Sequence, residues 1–369
     1  MAMRIILAGG GTGGHLFPGV ALTQELLWSS KISEKKVLFL CTNKPFDLQH
    51  LNRYHLDYKI LPSPKLPSLK NPLSIIKFPI NLIISLYYTN KYFSEFKPSA
   101  VIGLGGYGAF SSLVIAMLRM IPFVLLEQNI LPGKITRFFN PFARYVFCQW
   151  DESVKYLRNR KSIKTTGSPI RKEILLSING LMNNKSNVRK QLGLTKEYIL
   201  LIIGGSQGAE TLNKGIIDNI DMLKKLSNRL GIIHLTGEKD YQMIKDTYQN
   251  AGIEAVVKTF VDEMSIIYAA SDFALSRAGG IAIAEMTIFG LPMILVPYPH
   301  AADNHQFFNA SEVQKTCAGF VINQNHLSKQ IGPMINDFIN TGTKTLSQNA
   351  KCLARNNTAG IIIDYLQLL

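Results

Sequence analysis

The sequence is poor in cysteine and lacks metal-binding patterns. Its four cysteines, Cys41, Cys148, Cys317 and Cys352, lie far apart, and no C-x-x-C pair occurs among the 369 residues. This spacing argues against a disulfide framework and suits a reducing cytoplasm. No D-x-D pair and no His/Asp cluster with metal-ligand spacing is present, so we expect no metal and no other cofactor. The apolar run at residues 5–8 is too short for a secretion signal.

Acidic residues are scarce in one half of the chain. The whole sequence has 40 Lys and Arg against 25 Asp and Glu, and residues 1–166 hold 21 of the former but only 8 of the latter. The first half therefore carries a net charge of +13 and should face an anionic partner, either nucleic acid or a membrane surface. A nucleic-acid-binding protein is disfavoured because basic and aromatic residues do not alternate and no binding motif occurs.

No apolar run is long enough to span a bilayer. The most hydrophobic stretch extends from Leu69 to Phe93, and its longest uncharged run, residues 78–90, has 13 residues, whereas a spanning helix needs about 20. Residues 69–93 are therefore either a segment that lies in the membrane interface or a helix of the first domain's core. The basic charge of the same domain favours contact with an anionic membrane surface.

Short apolar runs that end at Gly, Pro, Asn or Thr alternate with helical stretches along the whole chain. This pattern is typical of parallel strands covered by helices on both faces. It predicts an α/β fold with two doubly wound, Rossmann-like domains and a cleft between them. The predicted strands are residues 4–8, 37–41, 58–61, 100–104, 122–127, 145–149, 198–203, 232–236, 255–258, 273–276, 293–296 and 319–322.

The predicted domains are residues 1–166 and 167–354, with a linker that begins at Gly167-Ser168-Pro169 and includes the polar stretch 179–190. Pro and Gly next to a polar stretch are typical of such a boundary. Residues 343–369 are predicted to be helical, and residues 355–369 are expected to pack back on the first domain.

Three glycine-rich turns follow predicted strands: GGGTGGH at residues 9–15, GLGGYG at 103–108 and GGSQGA at 204–209. Glycine lets the backbone approach a ligand closely, and helix N-termini attract anions. The first turn matches G-x-G-x-x-G, but no acidic residue ends the second strand, at residues 41–44, which disfavours a dinucleotide and a nicotinamide oxidoreductase. No Walker loop is present. One diphosphate ligand in each domain would account for the turns.

Two side chains that follow predicted strands are candidates for chemistry. His15 follows the first turn, before a helix predicted at residues 18–27, and its ordinary pKa of about 6.5 suits a general base, although a structural histidine is the alternative. Glu285 follows a strand and lies early in a helix, where a carboxylate can accept hydrogen bonds from both ribose hydroxyls. A solvated surface glutamate is the alternative there. Residues 300–310 gather polar side chains suited to sugar hydroxyls.

Taken together, the motifs closely resemble those of the MurG family of peptidoglycan glycosyltransferases. They occur in order over nearly the whole chain: GGTGGH at 10–15 with PG at 18–19, GGY at 105–107, EQN at 127–129, GSPIR at 167–171, GGSQGA at 204–209, and HQ at 305–306 with NA at 309–310. The resemblance implies a GT-B fold and inverting transfer of N-acetylglucosamine from UDP-GlcNAc to the C4 hydroxyl of the muramoyl sugar of lipid I, the undecaprenyl-diphosphate-MurNAc-pentapeptide. It also implies a peripheral enzyme on the cytoplasmic face of the bacterial plasma membrane. A GT-B transferase with another UDP-sugar or lipid acceptor is the alternative.

The resemblance also implies the site residues. His15 would deprotonate the acceptor hydroxyl, with Glu127 as its partner or as an alternative base, and Gly105, Gly106 and Tyr107 would face the acceptor diphosphate. The residues implied for UDP-GlcNAc are Thr12, Gly13, Gly14, Asn129, Arg171, Ser206, Phe260, Val261, Gly280, Ile281, Ala282, Ile283, Ala284, Glu285 and Gln306. Ala282 and Ala284 stand where the family often has Ser or Thr, so side-chain hydrogen bonds are lost there. Gly108-Ala109 likewise leaves no hydroxyl near the acceptor.

Overall fold

The computed structural model describes residues 2–29, 34–62, 72–204 and 210–369. The chain divides into two compact units, Met1–Lys172 with Asn357–Leu369 (unit 1) and Glu173–Asn356 (unit 2). Each unit is built on one parallel sheet flanked by helices, and the second unit continues with the same alternation as the first. The predicted α/β class with two Rossmann-like domains is confirmed.

Unit 1 contains a seven-stranded parallel sheet in the order β3-β2-β1-β4-β5-β6-β7. Its strands are β1 Ala2–Ala8, β2 Glu34–Cys41, β3 Tyr58–Ile60, β4 Ala100–Gly103, β5 Phe123–Glu127, β6 Tyr145–Cys148 and β7 Ile163–Thr165. Its helices are α1 Gly13–Trp28, α2 Pro45–Arg53, α3 Pro72–Phe96, α4 Phe110–Leu118 and α5 Lys134–Phe139.

Alternate residues of β1 enter the two cores of unit 1. Ile5 and Leu7 pack with the residues of α1, whereas Ile6 and Ala8 pack on the opposite face with Phe93 of α3 and its neighbours. Because both faces of the strand are covered, its sequence is continuously apolar rather than alternating.

Unit 2 contains a six-stranded parallel sheet in the order β10-β9-β8-β11-β12-β13. The strands are β8 Tyr198–Ile203, β9 Leu230–Leu235, β10 Ala255–Lys258, β11 Phe273–Ser276, β12 Met293–Leu295 and β13 Gly319–Val321. The helices are α6 Lys172–Asn183, α7 Lys185–Gln191, α8 Glu210–Ile217, α9 Ile220–Lys225, α10 Tyr241–Ala251, α11 Met264–Ala270, α12 Gly280–Ile288, α13 His305–Lys315, α14 Leu327–Thr341 and α15 Lys344–Cys352.

The polar stretch 179–190, expected within a linker, is helical instead. It spans the end of α6 and most of α7. Two of its basic side chains are fixed to the start of β11, because Lys185 donates to Asp272 at 2.9 Å and Arg189 forms an ion pair with the same carboxylate. Polarity here therefore serves tertiary hydrogen bonds rather than an exposed connection.

The single helix predicted over residues 343–369 is interrupted. Helix α15 ends at Cys352 and α16, Thr358–Leu366, begins after Asn357, whose φ of 57° cannot continue a right-handed helix. The α16 helix belongs to unit 1, where the Thr358 hydroxyl donates to the Thr166 carbonyl at 2.8 Å and Ile362 is fully buried. Burial of its apolar face explains why these last residues pack on the same face of the sheet as α1.

Candidate active site

The first glycine turn connects β1 to α1 at the carboxyl edge of the unit 1 sheet. Thr12 is extended, with φ −154°, and α1 begins at Gly13 rather than at the predicted residue 18. His15 therefore lies in the first turn of the helix and does not precede it. At the N-terminus of a helix the backbone amides of the first helical turn point outward along the helix axis, which is the arrangement that attracts anions.

A buried carboxylate holds this turn in place. Asp47, in the first turn of α2, is fully buried and accepts the Gly11 amide with both oxygens, at 2.8 and 2.7 Å. It also accepts the Thr42 hydroxyl at 3.0 Å, while Lys44 Nζ donates to the Gly11 carbonyl at 2.8 Å. An acidic residue thus does follow the second strand, but it binds the protein's own glycine turn, a pairing that no sequence pattern indicates.

The His15 ring packs directly against the glycine turn at residues 103–108, which follows β4, the neighbour of β1. A Cβ atom on Gly105 would lie 2.9 Å from both Cε1 and Nδ1 of the ring, and one on Gly106 would lie 3.5 Å from Cδ2. Contacts below 3 Å are forbidden, and Gly105 also has a φ of 93°, so no other residue fits here without displacing the imidazole. The turns at residues 9–15 and 103–108 therefore form one surface around His15, because β1 and β4 are adjacent parallel strands.

Glu127, the other candidate base, lies at the end of β5 and is 4% exposed. One carboxylate oxygen accepts the backbone and side-chain amides of Asn129, at 3.1 and 3.3 Å, and the other accepts the Gly133 amide at 2.9 Å. Because both oxygens bind the turn that follows β5, the carboxylate organises that turn. The Asn129 carbonyl in turn accepts the Ser153 hydroxyl at 3.1 Å.

Arg171 is held against α1 and α2 of unit 1. Its guanidinium lies 4.3 Å from the centroid of the Phe17 ring and donates to the Tyr54 hydroxyl at 3.4 Å. The side chain is 5% exposed, and stacking on an aromatic face is a favourable way to bury a guanidinium. Tyr107, in contrast, is exposed, and it lies in the glycine turn at residues 103–108.

In unit 2, Glu285 is buried rather than solvated. It is the sixth residue of α12, is 5% exposed, and accepts the Tyr268 hydroxyl at 3.0 Å. The structure therefore excludes the solvated-glutamate interpretation. Helix α12 begins at Gly280, and within it Ala282 is partly exposed whereas Ala284 is buried. The buried members of this stretch are Gly280, Ile281, Ile283 and Ala284.

Phe260 and Val261 follow β10, beside the end of β9. Phe260 is 49% exposed and Val261 is half-buried. The chain leading to them is fixed by backbone bonds from Thr236 to the Lys258 carbonyl at 3.0 Å and from Gly237 to the Thr259 carbonyl at 3.1 Å. Ser206 and the rest of its glycine turn, residues 205–209, lie outside the described residues.

Gln306 lies in the first turn of α13, where its Oε1 accepts the Tyr298 amide at 3.0 Å. The two residues directly before α13, Asp303 and Asn304, have φ values of 51° and 56°. Left-handed conformations are tolerated best by Asn and Asp, and strained backbone is common at functional turns. One turn later, Asn309 is fully buried and donates to the Ala278 carbonyl at 3.1 Å, which joins α13 to the start of α12.

Arg277 is a residue that the sequence did not single out. Its guanidinium donates to the Val296 carbonyl at 3.1 Å and lies 5.4 Å from the centroid of the Tyr298 ring. Burial lowers the pKa of the guanidinium. The only signal available was its position directly after β11, at the edge of the sheet where the other candidate residues of unit 2 gather.

In the four described ranges, no group of three or more His, Cys, Asp or Glu side chains could hold a metal ion. The same ranges contain no helix that is both long and apolar enough to cross a membrane.

The fold and these residues define a glycosyltransferase of the GT-B class. The model of the glycosyltransferase family 28 N-terminal domain matches residues 5–148, and that of the family 28 C-terminal domain matches residues 199–363. The chain therefore belongs to glycosyltransferase family 28, together with its relatives described as UDP-N-acetylglucosamine–N-acetylmuramyl-(pentapeptide) pyrophosphoryl-undecaprenol N-acetylglucosamine transferases.

Two of those relatives illustrate the similarity. The protein from Thermodesulfovibrio yellowstonii is 35% identical over 342 residues, which cover 90% of each chain, and that from Geotalea uraniireducens is 33% identical over 98% of this chain and 97% of the relative. Among solved structures, Acinetobacter baumannii MurG matches with a TM-score of 0.74 at 22% identity over the whole of both chains. A Neisseria meningitidis UDP-GlcNAc 2-epimerase bound to UDP-GlcNAc matches with 0.68 at 15% identity, also over both whole chains. At these identities the structural matches establish the fold.

Proposed function

We propose that this chain transfers N-acetylglucosamine from UDP-GlcNAc to the C4 hydroxyl of MurNAc-pentapeptide on undecaprenyl diphosphate, with inversion at the anomeric carbon. The product is the lipid-linked disaccharide used in peptidoglycan synthesis. The printed descriptions of the relatives support these substrates. The observation that carries the mechanism is the packing of the His15 ring on Gly105 and Gly106, which places a titratable group between two glycine turns.

His15 is the group best placed to act as the general base. It would take the proton of the acceptor C4 hydroxyl while the oxygen attacks the anomeric carbon, and the bond from that carbon to the UDP oxygen breaks on the opposite face. Glu127 is less suited to this role because both of its oxygens already accept amides of its own turn. We assign Glu127 to the support of that turn, which carries Asn129.

The two ends of the donor would meet different parts of unit 2. The buried Glu285 carboxylate would accept the ribose hydroxyls, Gln306 would bind the sugar, and the backbone beside Phe260 and Val261 would flank the uracil. The diphosphate would lie at the turn that includes Ser206. Helix N-termini and basic side chains would stabilise the negative charge that develops on the departing UDP.

The other proposed donor contacts lie in unit 1. Thr12, Gly13 and Gly14 would approach the transferred sugar from the start of α1, and Asn129 and Arg171 would complete that side. The acceptor diphosphate would lie against Gly105, Gly106 and Tyr107, because a glycine backbone can approach an anion closely.

We further propose that unit 1 docks on the cytoplasmic face of the plasma membrane through an exposed face of α3 (the α3 face). Its apolar side chains point outward, and the α3 face consists of Ile80, Ile83, Ile84, Tyr87 and Tyr88. The opposite side of the helix buries Phe93 and two small polar groups, since the Ser111 hydroxyl donates to the Ser85 hydroxyl at 2.8 Å and the Thr89 hydroxyl donates to the Ser85 carbonyl at 2.7 Å. A surface helix normally exposes polar side chains, whereas α3 exposes isoleucine and tyrosine, which favours an interfacial position for it.

The reaction can be tested by measuring UDP release. We expect release from UDP-GlcNAc only when a lipid I analogue is present, and far less from UDP-glucose or UDP-GalNAc. Folded protein that binds UDP but releases none under these conditions would contradict the proposal. Faster turnover with another UDP-sugar would instead support a GT-B transferase of different specificity.

The membrane contact can be tested by sedimentation with vesicles that contain anionic phospholipids. Ile83 is 66% exposed and Tyr87 is 66% exposed, so replacing either by Asp removes outward apolar area without disturbing the core. We expect Ile83→Asp to lower the bound fraction and Ile361→Asp, an exposed change on α16, to leave it unchanged. Equal binding of both variants and the wild type would contradict the assignment of the α3 face.

A further inference from the structure

Unit 2 contains a buried chain of polar side chains that the proposed function does not use. His234, on β9, is completely buried and contacts two partners: its Nδ1 lies 2.8 Å from the Tyr248 hydroxyl of α10, and its Nε2 lies 3.0 Å from Oδ1 of Asn213 on α8. Asn213 in turn donates from Nδ2 to the Thr236 carbonyl at 3.0 Å and to Asp240 Oδ2 at 2.7 Å.

The partners fix the direction of every bond in this chain. Both groups near Asn213 Nδ2 are acceptors only, so the amide must place its NH₂ there and its oxygen toward His234. An amide oxygen only accepts, so His234 Nε2 must carry the proton. The lone pair is then on Nδ1, and it accepts the hydroxyl proton of Tyr248. Burial lowers the pKa of His234 to about 3, so the ring stays neutral and the order of the bonds is stable at neutral pH.

This row of hydrogen-bonded side chains reaches Asn213, near the start of α8. Asn213 is the fourth residue of that helix, and the glycine-rich turn at residues 204–209 precedes the helix in the sequence. Its partner Thr236 directly follows β9, which pairs with β8 up to the register Ile203 with Leu235. Asn213 thus ties the first turn of α8 to the carboxyl end of β9, the strand that pairs with β8.

We propose that Tyr248, His234 and Asn213 are positioning residues that hold the N-terminal turn of α8 in register with the sheet, and so set the seat of the donor diphosphate. This rests on the proposed function, which places that diphosphate at residues 204–209. Tyr248, His234 and Asn213 are uncharged and none of them is proposed to touch the ligand, so their contribution is geometric. A helix start that is free to shift binds a diphosphate less well, because the amides must be ordered when the ligand arrives.

The role can be tested by comparing UDP with uridine, which lacks the diphosphate. His234→Phe keeps a ring but leaves Asn213 and Tyr248 without their partner. We expect it to weaken UDP binding about tenfold in a calorimetric titration while uridine affinity is unchanged, because the substitution leaves in place the backbone bonds that the Thr236 and Gly237 amides donate beside the proposed uracil site. His234→Gln retains one N–H donor and should recover part of the loss. In steady-state kinetics the change should appear in KM for UDP-GlcNAc more than in kcat.

Asn219→Ala is the matched control at the other end of α8. Asn219 donates to the Gly215 and Ser328 carbonyls at 2.9 and 2.8 Å, so its loss should lower thermal stability without changing the ratio of UDP to uridine affinity. Should His234→Phe fail to fold, Tyr248→Phe removes only the outer bond, and we expect UDP affinity to fall about threefold.

Three results would overturn the proposal: equal losses of UDP and uridine affinity in the His234 or Tyr248 variants, unchanged UDP affinity in folded variants, or nitrogen NMR shifts at pH 7 that place the His234 proton on Nδ1. A wild-type protein that binds uridine but gains no affinity from the diphosphate would overturn the proposed donor seat as well, which separates the two failures.

Discussion

The two units fix their glycine-rich turns by different chemistry. In unit 1 ionisable side chains fix the turn at residues 9–15. The buried carboxylate of Asp47 accepts the Gly11 amide, and the ammonium group of Lys44 donates to the Gly11 carbonyl. In unit 2 the helix that follows the turn is held through the Asn213 amide, which bonds the neutral His234 ring and donates to the Asp240 carboxylate. Charged hydrogen bonds are the stronger kind but cost more to bury.

The difference matches the proposed division of labour. His15, the proposed base, ends the first glycine turn, and the two bonds from the Gly11 amide to the buried Asp47 carboxylate restrict the backbone that carries it. On the donor side the support is indirect, because Asn213 joins α8 to β9 instead of bonding the glycine turn itself. We therefore expect changes at the first glycine turn to affect turnover, and changes at the Asn213 support to affect donor affinity.

The largest effect should come from His15→Ala set against Glu285→Ala. Loss of a general base lowers kcat by about 10² to 10⁴, with little change in KM for UDP-GlcNAc. Loss of a carboxylate that accepts two ribose hydroxyls should instead raise KM by about ten- to a hundredfold. Initial rates of UDP release over a range of UDP-GlcNAc concentrations separate the two parameters. Full activity in both variants would show that the assigned roles are wrong.

A smaller effect should follow from Asp47→Ala. This change leaves the Gly11 amide without its acceptor and frees the turn, at a cost of about 1–3 kcal/mol, or roughly ten- to a hundredfold in kcat if the loss falls on the transition state. UDP affinity, which depends on unit 2, should stay the same. Asp47→Asn retains one oxygen acceptor and is the matched control, which should recover part of the activity. If UDP affinity fell in parallel, the separation between the two units would not hold.

The sequence predicted the strands well where their surroundings are uniform. The bounds predicted for β8, β10 and β11 agree with the structure, and β8 and β11 are largely buried, mostly apolar runs. The short edge strand β7 was missed because its three residues are all half-buried and one of them is Lys164. An edge strand makes few of the contacts that produce an apolar run.

The site was predictable only where it follows local chain order. The proximity of His15 to the turn at residues 103–108 followed from adjacent parallel strands, since neighbouring carboxyl ends meet at one edge. The bond from Asp47 to Gly11 spans 36 residues, and that from His234 to Asn213 spans 21. No sequence spacing predicts either contact, because each depends on how separate helices pack against the sheet. Side-chain hydrogen bonds between elements therefore have to be seen in the structure.

The smallest predicted effect concerns the pH dependence of unit 2. His234 has a folded pKa of about 3, below the value of about 6.5 in the unfolded chain, so its stabilising contribution is complete above pH 6.5 and is lost progressively as the pH falls toward 3. By pH 5.5 this loss amounts to about 1 kcal/mol of unfolding free energy. Urea unfolding from pH 7.5 to 5.5 should show that the stability gap between the wild type and His234→Phe narrows by that amount. A gap that stays constant would mean that the His234 ring takes up a proton in the folded protein over this range, and the neutral ring proposed within the support of the donor turn would then be wrong.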